Sequence, residues 1–385
     1  MANPNPSAFT AVLIALLAGG AFIGRPQERL CGKDPSTGIY LDSQGVTGEG
    51  LPSDYDSTVL ALAKSLEGDI LTIYSVGPGQ RASTHFFSSR DRGDSWTSES
   101  RPLESTLVVL GFSSLQAPSD GRFVYRYDPK LGIYFRSEDS GKTWRRPRYT
   151  LDEQSRSEFS SWFASDHEAD FTIVAIHPLD PINLYATIRL LPRKHPSDDD
   201  RMHAPDRLFH SRDGGESWSP LAEGLMNRVP IGIGGPGGDV MYGVSTKGTV
   251  VRSYDGGRSW ASASEQPLWR LLSRVSVRAL AQETSRHLAS PPMIRQILVD
   301  PRDNDTVFIV VRQGLLKTVD GGHSWRLLDL GFSETLSVNS LVVSKGPTSM
   351  VYVGTRHGVI SSRDGGCSFT RIFPPTSSTV GKVHP

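Results

Sequence analysis

An eight-residue phrase recurs six times along this 385-residue chain, and it constrains the fold more than any other feature. The copies run from Ser89 to Trp96, Ser137 to Trp144, Ser211 to Trp218, Ser253 to Trp260, Thr318 to Trp325 and Ser362 to Phe369. All six read S/T-x-D-x-G-x-S/T-W, with Phe369 standing for Trp in the last. A fixed phrase at long intervals marks a repeat architecture.

Each residue type in the phrase suits a locked hairpin turn. The Asp carboxylate (Asp91, Asp139, Asp213, Asp255, Asp320, Asp364) can accept hydrogen bonds from backbone N–H groups two or three residues on. The Gly supplies a positive φ that other residues resist. The second Ser or Thr closes the turn with its hydroxyl. The aromatic residue (Trp96, Trp144, Trp218, Trp260, Trp325, Phe369) begins the next strand and buries its ring against the neighbouring hairpin. Five of the seven tryptophans occupy this one slot, which makes them packing residues and argues against a groove lined by them.

The phrase resembles the Asp-box, or bacterial neuraminidase repeat, of sialidases, xyloglucan-specific glycoside hydrolases, sortilin-type receptors and photosystem II assembly-factor propellers. In those families the box joins the third and fourth strands of a propeller blade and carries no catalytic residue. The resemblance implies an all-β chain built as a single β-propeller; six boxes give six blades of four antiparallel strands, and the apolar run at 7–24 adds an N-terminal hydrophobic helix. Seven blades is the alternative, if a degenerate blade lacks its box.

Net charge is zero, so clustered excess Lys and Arg give no nucleic-acid footprint. The two cysteines, Cys31 and Cys367, lie near opposite ends of the chain. First and last blades touch in a propeller, so a bridge could clasp the ring; two unpaired thiols is the bland reading. No C-x-x-C pair is present, and neither metal nor cofactor is expected. Residues 7–24 are uncharged and mostly apolar, long enough for a membrane anchor or a signal-peptide core. A buried N-terminal element is the third reading. Arg25, Arg29 and Lys33 follow the run, and by the positive-inside tendency they favour a cytoplasmic downstream side. The expectation carried forward is a membrane-anchored propeller at the extracytoplasmic (periplasmic) face, with the cytoplasmic face and secretion left open.

The domain plan is an anchor or signal segment at 1–24, a linker at 25–56, the propeller at 57–375 and a tail at 376–385. Successive box Asps are 48, 74, 42, 65 and 44 residues apart. Spacings near 45 are bare blades, and the two long ones hold insertions at about 190–206 and 264–292. Blade three shows the unit most clearly, with an inner strand Phe171–His177, a turn, and a second strand Leu184–Ile188.

A propeller writes its function on loops at one face and around the channel. Three departures from the repeat are candidates. Asp166, Glu168 and Asp170, just before the blade-three inner strand, could hold a cation or act as an acid/base pair; the bland reading is an exposed acidic loop. The insertion with His195, Asp198, Asp200 and His203 reads as a polar surface loop, without the spacing of a known metal site. In 266–292, Leu268, Leu271, Leu272 and Val275 recur at helical spacing beside Arg270, Arg274 and Arg278. That is an amphipathic helix with a basic stripe: either a helix on the propeller edge, or a docking element (Trp269, Arg270, Arg274, Arg278) for a partner protein or anionic headgroups.

The sialidase resemblance fails at the catalytic residues, since no Arg-Ile-Pro phrase opens the propeller. The xyloglucan-specific enzymes are usually two propellers, and this chain has room for one. The reading favoured is a non-catalytic propeller bound to a membrane-protein complex, for which the photosystem assembly-factor propellers are a precedent in kind. The alternative is a secreted exo-acting glycoside hydrolase acting on a glycan through Asp166, Glu168 or Asp170.

Overall fold

The computed structural model describes residues 58–64, 71–76, 84–99, 124–128, 133–139, 143–147, 150–151, 153, 157, 167–192, 207–226, 229–268, 270, 294–311, 314–330, 338–344, 350–355 and 358–373. The chain divides into two compact units, Met1–Leu30 and Cys31–Pro385, and every described residue belongs to the second. The expected N-terminal helix and the linker lie outside the described residues.

The described residues form six sheets in chain order. Blade one is β1 (Thr58–Lys64), β2 (Leu71–Val76), β3 (Thr84–Ser89) and β4 (Thr97–Glu99). Blade two is described as β5 (Val124–Asp128) and β6 (Ile133–Ser137), with an outer bridge from Arg136 to Arg145. Its expected inner strand lies outside the described residues. Blade three holds β8 (His167–Ile176), β9 (Leu184–Pro192), β10 (Arg207–Ser211) and β11 (Ser217–Glu223), edged by β7 (Thr150–Leu151). β7 pairs parallel with β11, a fifth strand that the repeat does not foretell.

Blade four is β12 (Gly232–Gly234), β13 (Val240–Val244), β14 (Val250–Ser253) and β15 (Ala261–Ser262). Blade five is β16 (Ile294–Asp300), β17 (Asp303–Val311), β18 (Gly314–Thr318) and β19 (Arg326–Leu327). Blade six is β20 (Val338–Val343), β21 (Val351–Thr355), β22 (Gly358–Ser362) and β23 (Thr370–Phe373). Blades one, four, five and six are simple four-strand meanders. In blades five and six the middle strands β17, β18, β21 and β22 are buried on both faces, because a neighbouring blade covers each side.

Every box closes the same lock. The first Ser or Thr is buried, and its hydroxyl donates to Asp Oδ1 at 2.6–2.8 Å in all six copies. In five copies that hydroxyl also accepts the Gly N–H. The second Ser or Thr donates its N–H to Oδ1 and its hydroxyl to Oδ2. The indole N–H of Trp96, Trp218, Trp260 and Trp325 donates to the carbonyl of the box Gly. Trp218 and Trp325 are buried, while Trp96, Trp144, Trp260 and Phe369 are half-buried.

The box also makes the seam between blades. The second box glycine has φ between +86° and +102° in five copies, and each backs onto the blade before it. A Cβ there would meet Pro147 beside Gly215, Leu221 beside Gly257, Ala263 beside Gly322 and Leu328 beside Gly366. Gly93 of blade one meets Ile372 of blade six in the same way. Blade six therefore packs on blade one with the seam geometry used at the other described seams. Leu71, Tyr352, Val359 and Phe373 form the core at that seam. Trp96 adds a hydrogen bond to the Ile372 carbonyl at 2.8 Å. Cys367, in the last box, is disulfide-bonded. The chain has one other cysteine, Cys31, which lies outside the described residues.

A second seam contact involves the residue just before each box. Arg136 donates to the carbonyls of Asp213 and Gly214 in the next box, and Lys317 donates to the Gly365 carbonyl. Arg252 reaches Asp305 of the next blade and presses on Gly321. Where the preceding residue is small, the glycine is not kept. Blade six has Ser361 before its box, and the box of the adjoining blade one has Arg92 in that position, held at φ +64°; blade one has Ser88 before its box, and the box of blade two has Ser140.

Two predictions follow from this geometry. Gly214 and Gly256 have nearly equal φ, +71° and +69°, so an alanine costs each about 1–2 kcal/mol of backbone strain. A Cβ on Gly214 would also lie 1.9 Å from Arg136 Nη1, whereas on Gly256 the nearest atom is 3.8 Å away. In urea unfolding, Gly214→Ala is expected to lose about 2 kcal/mol more than Gly256→Ala, the worth of a hydrogen bond to a charged group.

The second concerns acid. The Asp255 carboxyl is held at about 2 by the Ser259 hydroxyl, the Ser259 N–H and the Ser253 hydroxyl, against an ordinary 3.8. Burial opposes ionisation of Asp364, yet hydrogen bonds from Ser362, Ser368 and Cys367 bring it to about 2 as well. Asp91, Asp213 and Asp320 are lowered despite burial by the same bonds. A folded value below the unfolded one stabilises above the unfolded value and is lost as pH falls through the folded one. The melting temperature should hold down to about pH 4 and drop steeply from there toward pH 2. Replacing two box Asps by Asn should flatten that drop.

Candidate functional face

Strand register divides the ring into two faces. Ser211, which opens a box, pairs with Leu184 at the start of β9. The turn between β8 and β9 and the box turn therefore share one face. The opposite face receives the far ends of those strands, where His167 pairs with Pro192 and Arg207 with Glu223. The connection from Pro192 to Arg207 departs from this opposite face. So does the connection from Ser262 to Ile294, because Ile294 pairs with Val311 beside the β17–β18 turn. Both insertions thus join the propeller on the face away from the boxes.

The acidic segment is not the loop expected. β8 starts at His167, so Glu168 and Asp170 are strand residues, paired with Leu191 and Arg189. The sequence hides this because its apolar run starts at Phe171, while strand pairing continues through the polar residues before it. β9 likewise runs to Pro192, past the expected start of the insertion. Asp166, His195, Asp198, Asp200 and His203 lie outside the described residues. Among the described residues, no group of three or more His, Cys, Asp or Glu could hold a metal ion.

The basic stripe has a fixed root. Leu268 is buried in the core shared by blades four and five, beside Val250, Ile294 and Val311. Its N–H donates to the Gly248 carbonyl in the β13–β14 turn, on the face away from the boxes. Leu268 and Arg270 have helical backbone, and Arg270 is exposed. Leu268 and Arg270 are the described residues of the expected helix, while Trp269, Arg274 and Arg278 lie outside the described residues.

Between the first strands of blades three, four and five, Ile176, Ile231, Ile233, Ile297 and Val299 wall a small cavity whose polar side chain is Gln296. Gln296 is spoken for: its amide donates to the Leu341 carbonyl and accepts the Leu341 N–H, both at 2.9 Å, stitching β16 to β20. Its neighbour Arg295 sits in a β-bulge and donates to the Val338 carbonyl and the Asn339 side chain. The sequence signal for both residues is a polar pair inside the otherwise apolar stretch Ile294–Val299.

Among the described residues no helix is long and apolar enough to cross a membrane, and the apolar run at 7–24 lies outside them. The BNR/Asp-box repeat family matches residues 209–220, the third box and its flanks. No curated protein sequence matches the chain. Among solved structures, the chain is similar to a GH74 enzyme from Niastella koreensis. The identity is 16%, 82% of this chain and 37% of that chain are covered, and the TM-score is 0.44. It is also similar to YCF48 from Cyanidioschyzon merolae, at 14% identity over 81% of this chain and 96% of that one, with a TM-score of 0.44. A YCF48 bound to a D1 peptide is 15% identical over 81% and 79% of the two chains, with a TM-score of 0.37. The chain spans less than half the length of the two GH74 structures from Niastella koreensis and Xanthomonas campestris. At these scores the likenesses decide neither activity nor partner. The six turn locks, one of them matched by the family, make this chain a carrier of the BNR/Asp-box repeat, built as a β-propeller.

Proposed function

We propose that this chain is a non-catalytic, membrane-associated propeller of six blades, which binds and stabilises or helps assemble a membrane-protein complex. One observation carries the reading: both insertions join the same face, and the one bearing the basic stripe is rooted in the core at Leu268. A segment anchored at Leu268 and carrying Arg270, Arg274 and Arg278 would be equipped to dock on an acidic or membrane-apposed surface. The box carboxylates are spent inside their own turns. The disulfide at Cys367 supports an oxidising, extracytoplasmic location. A complex of the photosystem or reaction-centre kind is the candidate partner.

The second reading, glycan hydrolysis, draws on Glu168 and Asp170, two residues apart on β8 at the face of the insertions. A gentle-detergent pull-down of the full-length chain from its native membranes, read by mass spectrometry, separates the two. The docking reading expects a stoichiometric membrane complex. It expects Arg270→Glu with Arg274→Glu and Arg278→Glu to cut recovery about tenfold, the effect of about 1.4 kcal/mol, without changing the melting temperature. A chain recovered alone, with glycosidase activity lost on Glu168→Gln, would overturn it.

A further inference from the structure

The seam between blades three and four breaks the clamp rule. His210 occupies the position held by Arg136, Arg252 and Lys317 at the neighbouring seams. It does not reach the next box. Its ring stacks on Tyr185, 4.7 Å between centroids and 13° from parallel, within its own blade. The Asn183 amide donates to Asp180, which turns its oxygen toward His210 Nε2 at 3.2 Å. Nε2 is therefore the protonated nitrogen of a neutral ring.

The slot that an arginine would fill is left open. A Cβ on Gly256 would find no atom nearer than Arg258 Nη1 at 3.8 Å, against 1.9 Å at Gly214 and 2.6 Å at Gly321. The box carbonyl is served from its own side, Arg258 Nη1 donating to Asp255 O at 2.8 Å. Tyr125 and Tyr242 spend their hydroxyls on carbonyls of the next blade. Tyr185 is buried, and no such bond is found for its hydroxyl among the described residues. His177 closes the inner side, with Nδ1 accepting the N–H groups of Leu179 and Asp180 and Nε2 donating to the Gly237 carbonyl.

Two arginines act on both rings, Arg212 in the box of the same blade and Arg258 in the next box. Burial, then Arg212, Arg258 and His177, push His210 down to about 4. Burial raises Tyr185 to about 12 although Arg258 and Arg212 pull it the other way. The Asp255 carboxylate is turned into its own box, toward Ser253 and Ser259.

We propose that this slot, between blades three and four on the box face, binds a small oxyanion, a carboxylate or phosphate group. Arg258 and Arg212 supply the charge, the Tyr185 hydroxyl donates a hydrogen bond, and the stacked His210 ring forms the wall. An arginine fork and a phenol are suited to a planar or tetrahedral oxyanion. The site lies on the face away from the insertions and stands or falls apart from the docking reading.

The test is calorimetric titration of the full-length chain with inorganic phosphate, and separately with acetate, at constant ionic strength. The ring signals of His210 are followed by NMR in parallel. Saturable binding with a matching shift of His210 is expected, weakened about tenfold in Arg258→Gln (about 1.4 kcal/mol) and unchanged in Arg363→Gln. His210→Arg should abolish binding, because it restores the clamp and fills the slot, while the fold keeps or gains thermal stability. No saturable binding, or binding unaffected by either Arg258→Gln or His210→Arg, would overturn the proposal. Preference for phosphate or for acetate identifies which oxyanion the slot takes.

Discussion

One buried hydroxyl and one carboxylate hold each hairpin of this ring together. The first Ser or Thr of each box is almost fully buried, donating to the Asp; in five boxes it also accepts the Gly N–H. That pair fixes the positive φ of the second box glycine, and this glycine lets the outer strand of the preceding blade come into contact. Turn and seam are thus one device. A blade that lost its box would lose its own hairpin and its grip on a neighbour.

The seam device explains a pattern that motif spacing alone does not. The fourth residue of the box is glycine where the preceding blade ends its third strand in Arg136, His210, Arg252 or Lys317. It is Arg92 or Ser140 where that residue is Ser361 or Ser88. The side chain of one blade and the backbone of the next are chosen together. His210 sits in this series with a glycine ahead of it that it does not use, and that mismatch opens the slot at Gly256.

The repeat was legible because its chemistry is local: six fixed phrases give the strands on either side of each turn, and the bare blades four and six fall where spacing puts them. Glu168 and Asp170 were misread because strand pairing, unlike core burial, needs no apolar side chain, so β8 continues past its apolar run. β7 was missed because two residues in parallel pairing leave no periodicity. Gln296 was missed because its role depends on where β20 lies. Leu268 was legible as an apolar residue at the start of the insertion, yet what it packs on follows only from the assembled blades.

The two faces are unequal, with the locks and glycines on one and both insertions joined to the other. The most direct test installs a photo-cross-linking amino acid in place of Trp269 on the insertion face, and in place of Tyr254 on the box face, and irradiates native membranes. The account predicts adducts from position 269 to components of one membrane complex, and none to that complex from position 254. Adducts to the complex from position 254 alone, or from neither position, would contradict it.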